Sequence, residues 1–244
     1  MPPSPPTSPP SAASLKAWWK QFTLVQKFPK PSSSGGVFGV PLRDSLRYAS
    51  VQISTANQNN ELYVWGYIPV VVAKCGLFLK QKGTEVEGIF RINGSSRRMR
   101  ELQTIFETPP RYGKNIQWEE HAFTPHDVAS VFRRFLTSMP EPVIPNALYH
   151  DFRNAYSKKP FNQEEVVGAY KRLIARLPLA NQYLLLYVLD LLTVFAKKSD
   201  INKMTSTSEL SYFLLYETLI VAGNLICYRF GCDISSSRSQ SPGP

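Results

Sequence analysis

The hydrophobic positions of residues 126–139 recur at helical spacing. Apolar side chains stand at i, i+3, i+4, i+7, i+8 and i+11: Val128, Val131, Phe132, Phe135, Leu136 and Met139. The run follows Thr124-Pro125-His126-Asp127, which supplies a capping residue, a proline at the first helical position and an acid in the first turn. It stops at Pro140-Glu141-Pro142. The pattern predicts an amphipathic helix with one buried face.

Four further segments show helical patterns, over residues 67–82, 96–106, 163–176 and 179–197. The first has Pro69 in its first turn and Gly83 just past its end. Ser95 or Ser96 can cap the second. The last is rich in leucine, which predicts a buried central helix. Because no segment alternates convincingly as a strand does, the predicted fold class is all-α, a helical bundle.

The first 36 residues predict a separate N-terminal segment. Residues 1–14 are rich in proline and serine, which is typical of disorder or polyproline II, and residues 30–36 read as a linker. Between them, residues 15–28 place Leu15, Trp18, Trp19, Phe22 and Val25 at helical spacing among lysines. Either a helix on an anionic membrane surface or a helix docked on the domain fits this pattern. The globular domain is predicted to begin at Val37.

Composition narrows the classes of function. The 244 residues carry a net charge of +10, which favours an acidic partner: nucleic acid, an anionic membrane surface or an acidic protein face. Three cysteines without a CxxC pair, and no signal-peptide pattern at the N-terminus, favour a cytoplasmic protein. The sequence lacks the usual hydrolase, metalloprotease and phosphate-loop motifs, and its three histidines are not spaced as metal ligands. We therefore expect no metal and no cofactor.

One loop and one helix face are candidates for a functional site. Arg91 lies between Gly88 and Gly94, which allow sharp turns, while Ile89 and Phe90 can anchor the loop to the core. From this loop alone, Arg91 is interpreted as an ordinary surface arginine. On the helix over 126–139, Ser130, Arg133 and Thr137 align at i, i+3 and i+7 away from the apolar stripe. That face gains a functional meaning only if it brackets Arg91.

Several blocks of the chain resemble one known family. They are VFGVPL (37–42), IPVVVAKCGLFLKQKGTEVEGIFRINGSSRRMREL (68–102), DVASVFRRFLTSMPEPVIPNALY (127–149), and LPLANQYLLLYVLDLL with INKMTST (177–207). Together they resemble a Rho GTPase-activating (RhoGAP) domain, and in particular the domains of fungal Rho regulators. The block around GIFR is the hallmark of that family.

The resemblance implies a GTPase activator that is not itself a hydrolase. It implies binding to the GTP-bound form of a Rho, Rac or Cdc42-type GTPase, with Arg91 as the arginine finger. Arg133 matches a lysine that supports the finger loop, and Thr137 matches a second arginine that is missing here. Ser130, Gly88 and Gly94 complete the expected GTPase-binding set. Nucleic-acid binding is not expected, because the aromatic residues lie at core spacing, whereas a peripheral membrane contact stays open.

The resemblance stops after Thr207. Residues 208–244 are interpreted as retained intron and a frameshift, because Ser208-Glu209-Leu210 can be encoded with a splice donor and Tyr228-Arg229 with an acceptor. Alternatively, residues 210–227 are a marginal tail anchor or a poorly packed tail. The domain over 37–207 is then expected to lack its last helices and to expose Leu185, Leu189 and Leu192. With Thr137, this leaves a catalytically impaired Rho-GTP-binding module as the alternative function.

Overall fold

A computed structural model describes residues 35–56, 62–157 and 163–204 of the chain. The predicted N-terminal helix over 15–28, the Pro/Ser-rich segment and the tail over 208–244 lie outside these residues. The same holds for the expectation that the last helices of the domain are missing.

The described elements are predominantly helical, in agreement with the predicted fold class. In chain order they are α1 (Leu42–Ser45), β1 (Ser50–Ala56), β2 (Leu62–Pro69), α2 (Val70–Lys82), α3 (Ser96–Glu107), a 3₁₀ turn (Trp118–Glu120), α4 (Pro125–Ser138), α5 (Asn146–Ser157), α6 (Gln163–Arg176), α7 (Leu179–Ala196) and α8 (Ser199–Asn202).

The prediction that the chain contains no strand was wrong. β1 and β2 form an antiparallel hairpin in which Ser50 faces Pro69 and Ala56 faces Leu62, with an irregularity at Ile53/Ser54. Strand β2 does not alternate, because its C-terminal end enters the core: Ile68 is fully buried. The helix predicted from residue 67 begins at Val70, and Pro69 is its N-cap with extended backbone (φ −58°, ψ 139°).

Helices α2, α4 and α7 build the main core. Their buried side chains include Val71, Leu79, Val131, Phe135 and Phe195. The capping box predicted for α4 is present, with Thr124 as N-cap and Asp127 as its partner. These helices flank the segment that carries Arg91.

The leucine-rich helix α7 is a central helix, as predicted. By length and composition alone it is the one helix in the described part of the chain that could cross a membrane. Its side chains instead contribute to both hydrophobic clusters, with Leu184 and Leu191 in the main core. A buried helix of a globular core passes the same composition test.

A second cluster joins α5, α6 and α7. Phe152 of α5 and Tyr170 of α6 pack there with Leu185 and Leu189 of α7. Helix α5 was not predicted from the sequence. The expectation that Leu185 and Leu189 are exposed was also wrong, since both are buried in this cluster, while Leu192 is half-buried.

Candidate functional site

Arg91 lies in a tight turn between α2 and α3. We call residues 88–95 the Arg91 loop. The chain reverses at Gly88 (φ 67°) and Phe90 (φ 62°), and the Gly88 carbonyl accepts hydrogen bonds from the amides of Arg91 (3.0 Å) and Ile92 (2.8 Å). A left-handed conformation suits glycine but is uncommon for phenylalanine. The turn predicted at Gly88 is confirmed.

Packing of Phe90 holds that uncommon backbone in place. Ile89 is fully buried and Phe90 is 8% exposed. The Phe90 ring lies edge-on to Phe195 of α7 (5.0 Å between centroids) and tilted to Phe132 of α4 (6.2 Å). Because both flanking helices hold this ring, the next residue, Arg91, is directed outward and exposed.

Gly94 serves close approach to α4 rather than a turn. A Cβ atom on Gly94 would lie 2.5 Å from Asp127 Cα and 2.6 Å from Asp127 N, too close for any side chain. The Gly94 amide donates to Ser130 Oγ (3.1 Å), and the Ser95 amide donates to Asp127 Oδ1 (2.7 Å). The end of the Arg91 loop is therefore bonded directly to the first turns of α4.

Arg133 holds the middle of the loop. Its guanidinium donates to the main-chain carbonyl of Phe90 and to Asn93 Oδ1 (2.8 Å). The face predicted on α4 thus does bracket the Arg91 loop. Ser130 is nearly buried and faces the loop rather than solvent.

Thr137 is not part of this contact. It is exposed, and its hydroxyl donates to the carbonyls of Arg133 (3.1 Å) and Arg134 (3.2 Å) of its own helix. The structure therefore brings Ser130 and Arg133 to the loop and leaves Thr137 one turn further along α4.

Asp127 is a functional candidate that the sequence showed only as a helix cap. Its side chain is completely buried, and it forms an ion pair with Arg98 (2.6 Å) while accepting from the Thr124 amide (2.8 Å). Burial raises the pKa of this carboxyl, but hydrogen bonds from Arg98, Thr124 and Ser95 outweigh burial and lower the pKa below its ordinary value. Asp127 stays ionised in the folded domain at neutral pH.

Asn202 anchors the beginning of the Arg91 loop, a role that was not predicted from the sequence. Its carbonyl accepts from the Gly88 amide (2.9 Å), and its side-chain amide donates to Thr84 O (3.0 Å) and Phe195 O (2.9 Å). Asn202 is fully buried at the end of the short helix α8. No local pattern could reveal this contact, because the partners are distant in sequence.

The Arg91 guanidinium is available to an outside partner. Within the described residues no hydrogen bond or ion pair engages this side chain, although the backbone on both sides is bonded. In the same part of the chain no group of His, Cys, Asp and Glu side chains could hold a metal ion. A permanently charged, planar donor on a fixed loop can stabilise an anionic group supplied by another molecule.

Comparison with known proteins places this loop in a family. The model of the RhoGAP domain matches residues 69–213. Rho-GTPase-activating protein 5 of Schizosaccharomyces pombe is 45% identical over 201 residues, which cover 82% of this chain and 54% of that protein. Rho-GTPase-activating protein BAG7 of Saccharomyces cerevisiae is 39% identical, over 71% of this chain and 42% of its own length. The chain spans about half the length of these curated relatives.

Solved structures show the same fold. Human Rho GTPase activating protein 15 superposes with a TM-score of 0.57 at 17% identity, covering 91% of this chain and 98% of that chain. The BH domain from Graf, the GTPase regulator associated with focal adhesion kinase, superposes with a TM-score of 0.51 at 22% identity, covering 64% and 88%. From the family match and the identity to the two yeast proteins, this chain belongs to the RhoGAP domain family.

Proposed function

We propose that this domain accelerates GTP hydrolysis by a Rho-family GTPase and that Arg91 enters the active site of the GTPase as an arginine finger. The main observation is that the exposed Arg91 guanidinium has no hydrogen-bond or ion-pair partner among the described residues. Its loop is bonded through the backbone to Asn202 at one end and to α4 at the other. Relatives named as Rho-GTPase-activating proteins support the same activity.

The chemistry of phosphoryl transfer explains why a fixed arginine suffices. In GTP hydrolysis the transition state carries charge on the phosphoryl oxygens, and a positioned guanidinium stabilises that charge without reorganisation. Arginine fingers contribute roughly 10³ to 10⁵ in rate. In this proposal the GTPase positions the water that attacks the phosphate, and the domain completes that site with its guanidinium.

The neighbouring residues take supporting roles in this proposal. Arg133 and Ser130 hold the loop, while Gly88 and Gly94 let its backbone turn and approach α4. The exposed end of α4, with Thr137, faces the GTP-bound partner. The net charge of +10 also favours attraction to an anionic membrane surface. The proposal therefore includes a cytoplasmic protein that binds peripherally to the membrane.

The exposed Thr137 favours a second candidate function. Its hydroxyl is committed to its own helix, and the residue carries no charge with which to bind a GTPase. A domain with weakened contacts can still bind Rho-GTP without accelerating hydrolysis. This candidate is a catalytically impaired Rho-GTP-binding module.

Single-turnover hydrolysis separates the two candidates. GTP-loaded Rho, Rac and Cdc42-type GTPases are each mixed with the 244-residue chain, and phosphate release is followed, with a Ras-type GTPase as control. The activator predicts acceleration that rises with domain concentration to a plateau for at least one Rho-family GTPase. Binding with no acceleration of any of them supports the binding module and contradicts the activator.

A further inference from the structure

The carboxylate of Asp127 joins the N-terminal ends of α3 and α4 at the point where the Arg91 loop ends. We propose that Asp127 is a positioning residue for the arginine finger: it fixes the end of the Arg91 loop and never touches the GTPase itself. This inference rests on the proposed function, and it assigns a second role to a residue that otherwise reads as a helix cap.

The two carboxylate oxygens have different partners. Oδ2 accepts from the Thr124 amide and hydroxyl (both 2.8 Å), which are the contacts of the capping box. Oδ1 accepts from the Ser95 amide (2.7 Å), which helix α4 does not need for its own cap. Arg98 bridges both oxygens, at 2.6 Å to Oδ2 and 3.4 Å to Oδ1. One oxygen therefore serves α4, and the other holds the loop.

A short bonded path leads from this carboxylate to Arg91. Ser95 is tied to Asp127, Gly94 to Ser130 and Asn93 to Arg133, each through a hydrogen bond to α4. Since a Cβ on Gly94 has no room beside Asp127, the loop backbone lies directly against this residue. Loss of the Asp127–Ser95 bond loosens the loop at its α3 end, four residues from the finger.

A charged residue at this buried position requires strong partners. A buried carboxylate is unfavourable unless it is paired and hydrogen-bonded. Asp127 is completely buried, whereas the side chain of Arg98 is 38% exposed, so the chain supplies a counter-ion from α3. A helix cap alone needs only the Thr124 contacts; the bonds to Ser95 and Arg98 additionally join α3 and the loop to α4.

The test compares Asp127→Asn with Thr124→Ala. In Asp127→Asn one oxygen becomes an NH₂ group that cannot accept, so a donor on the loop side or on the cap side loses its acceptor. Thr124→Ala removes the hydroxyl of the cap together with a methyl group, and it leaves the bond between Ser95 and Asp127 in place. Asp190→Asn, which breaks the Lys80–Asp190 ion pair between α2 and α7, controls for a general loss of stability.

Three quantities are measured on each variant of the full chain. They are the single-turnover rate at saturating domain, the affinity for Rho loaded with a non-hydrolysable GTP analogue, and the hydrogen exchange of residues 88–95. For Asp127→Asn we expect the saturated rate to fall about tenfold or more, because misplacement of a catalytic group by about 1 Å can cost 10²-fold. Affinity should change less than about threefold, and exchange in the loop should accelerate. Thr124→Ala and Asp190→Asn should keep the wild-type rate.

The inference is overturned if Asp127→Asn keeps the full rate and loop protection, or if Thr124→Ala reproduces its effect. If Asp127→Asn does not fold, Ser95→Pro is measured instead: it removes the N–H donor at φ −67°, which proline accepts, and keeps Asp127 and its cap. The same loss of rate is expected, and an unchanged rate and unchanged exchange contradict the inference.

Failure of the proposed function is read separately. It would appear as a wild-type chain that accelerates no GTPase. Exchange of residues 88–95 still decides whether Asp127 positions the loop: faster exchange in Asp127→Asn but not in Thr124→Ala supports that role, and equal exchange refutes it.

Discussion

The guanidinium of Arg133 donates a hydrogen bond to the main-chain carbonyl of Phe90, the residue directly before Arg91. The same guanidinium reaches Asn93 on the other side of the finger (2.8 Å). One side chain on α4 therefore spans the tip of the Arg91 loop. The loop owes its shape to contacts from outside itself, which makes the supporting residues testable separately from Arg91.

Arg133→Ala should lower both the affinity for the GTPase and the hydrolysis rate. The variant leaves the Phe90 carbonyl and the Asn93 side chain without their charged donor, and hydrogen bonds to charged groups are worth about 1.5–3 kcal/mol. Because Arg133 is exposed, we expect the lower end, about a tenfold loss in rate at saturating domain. Single-turnover kinetics with a titration of the domain measures both effects.

Arg134→Ala is the matched control for Arg133. It removes a neighbouring arginine of the same helix that donates to Gln103 of α3 (3.0 Å) and not to the loop. The rate should stay within about twofold of wild type. Equal losses in the two variants would show that charge on α4, and not support of the loop, is what matters.

Thr137→Arg should increase the affinity for the GTP-bound partner. The threonine is exposed one turn beyond Arg133, so an arginine can extend from α4 without displacing core residues. One new charge-assisted contact at an exposed interface gives about a three- to tenfold gain. Titration of a Rho-GTP analogue measures it, with Thr104→Arg on the exposed face of α3 as control. A gain of the same size from the control would indicate unspecific attraction.

Gly94→Ala should destabilise the domain and slow hydrolysis. The added methyl group meets the backbone of Asp127, and relief of such an overlap costs about 1–3 kcal/mol. Gly168→Ala in α6 is the opposite case, because its nearest neighbour is the flexible end of Arg172 at 3.4 Å. That substitution should stabilise the domain by about 0.5–1 kcal/mol. Urea unfolding distinguishes them, and equal effects would contradict the close approach of Gly94 to α4.

The contribution of Asp127 to stability should depend on pH. Its pKa in the folded domain lies below the ordinary value of 3.8, so the folded state holds the ionised form more strongly than the unfolded state does. The stabilisation is therefore fully present above the unfolded pKa and is lost as the pH falls through the folded pKa. The difference in unfolding free energy between wild type and Asp127→Asn should be constant from pH 7 to 5 and shrink toward pH 3. A constant difference down to pH 3 would contradict this origin.

Local signals in the sequence were sufficient to predict most of the helices. Helix α4 carries its start in Thr124-Pro125 and its buried face in the spacing of its apolar residues, so its prediction depended on no distant contact. The same local signals did not predict strand β2. Gly66 in that strand lies against the ring of Tyr183, and a Cβ atom on Gly66 would be 2.7 Å from that ring. Because this contact joins distant segments, it produces no periodic pattern of apolar residues in the sequence.

The functional site was predicted only in part, again because some of its contacts join segments that are distant in the sequence. Arg91, Arg133 and Ser130 could be selected from the loop, the spacing on α4 and the family resemblance. The bonds from Asn202 to Gly88 and from Asp127 to Ser95 could not, because they join segments brought together only by folding. The capping pattern of α4 identified Asp127 as a helix cap. The hydrogen bond that its Oδ1 atom accepts from Ser95 depends on the folded arrangement of α3 and α4.

Arg91→Ala should abolish the acceleration of GTP hydrolysis without abolishing binding. The measurement is single-turnover GTP hydrolysis by a Rho-family GTPase at saturating domain, together with the affinity for its GTP-bound form. We expect a loss of roughly 10³-fold or more in the rate, while the affinity changes little because other residues hold the loop backbone. An Arg91→Ala variant that accelerates hydrolysis as wild type does would contradict the assignment of the finger.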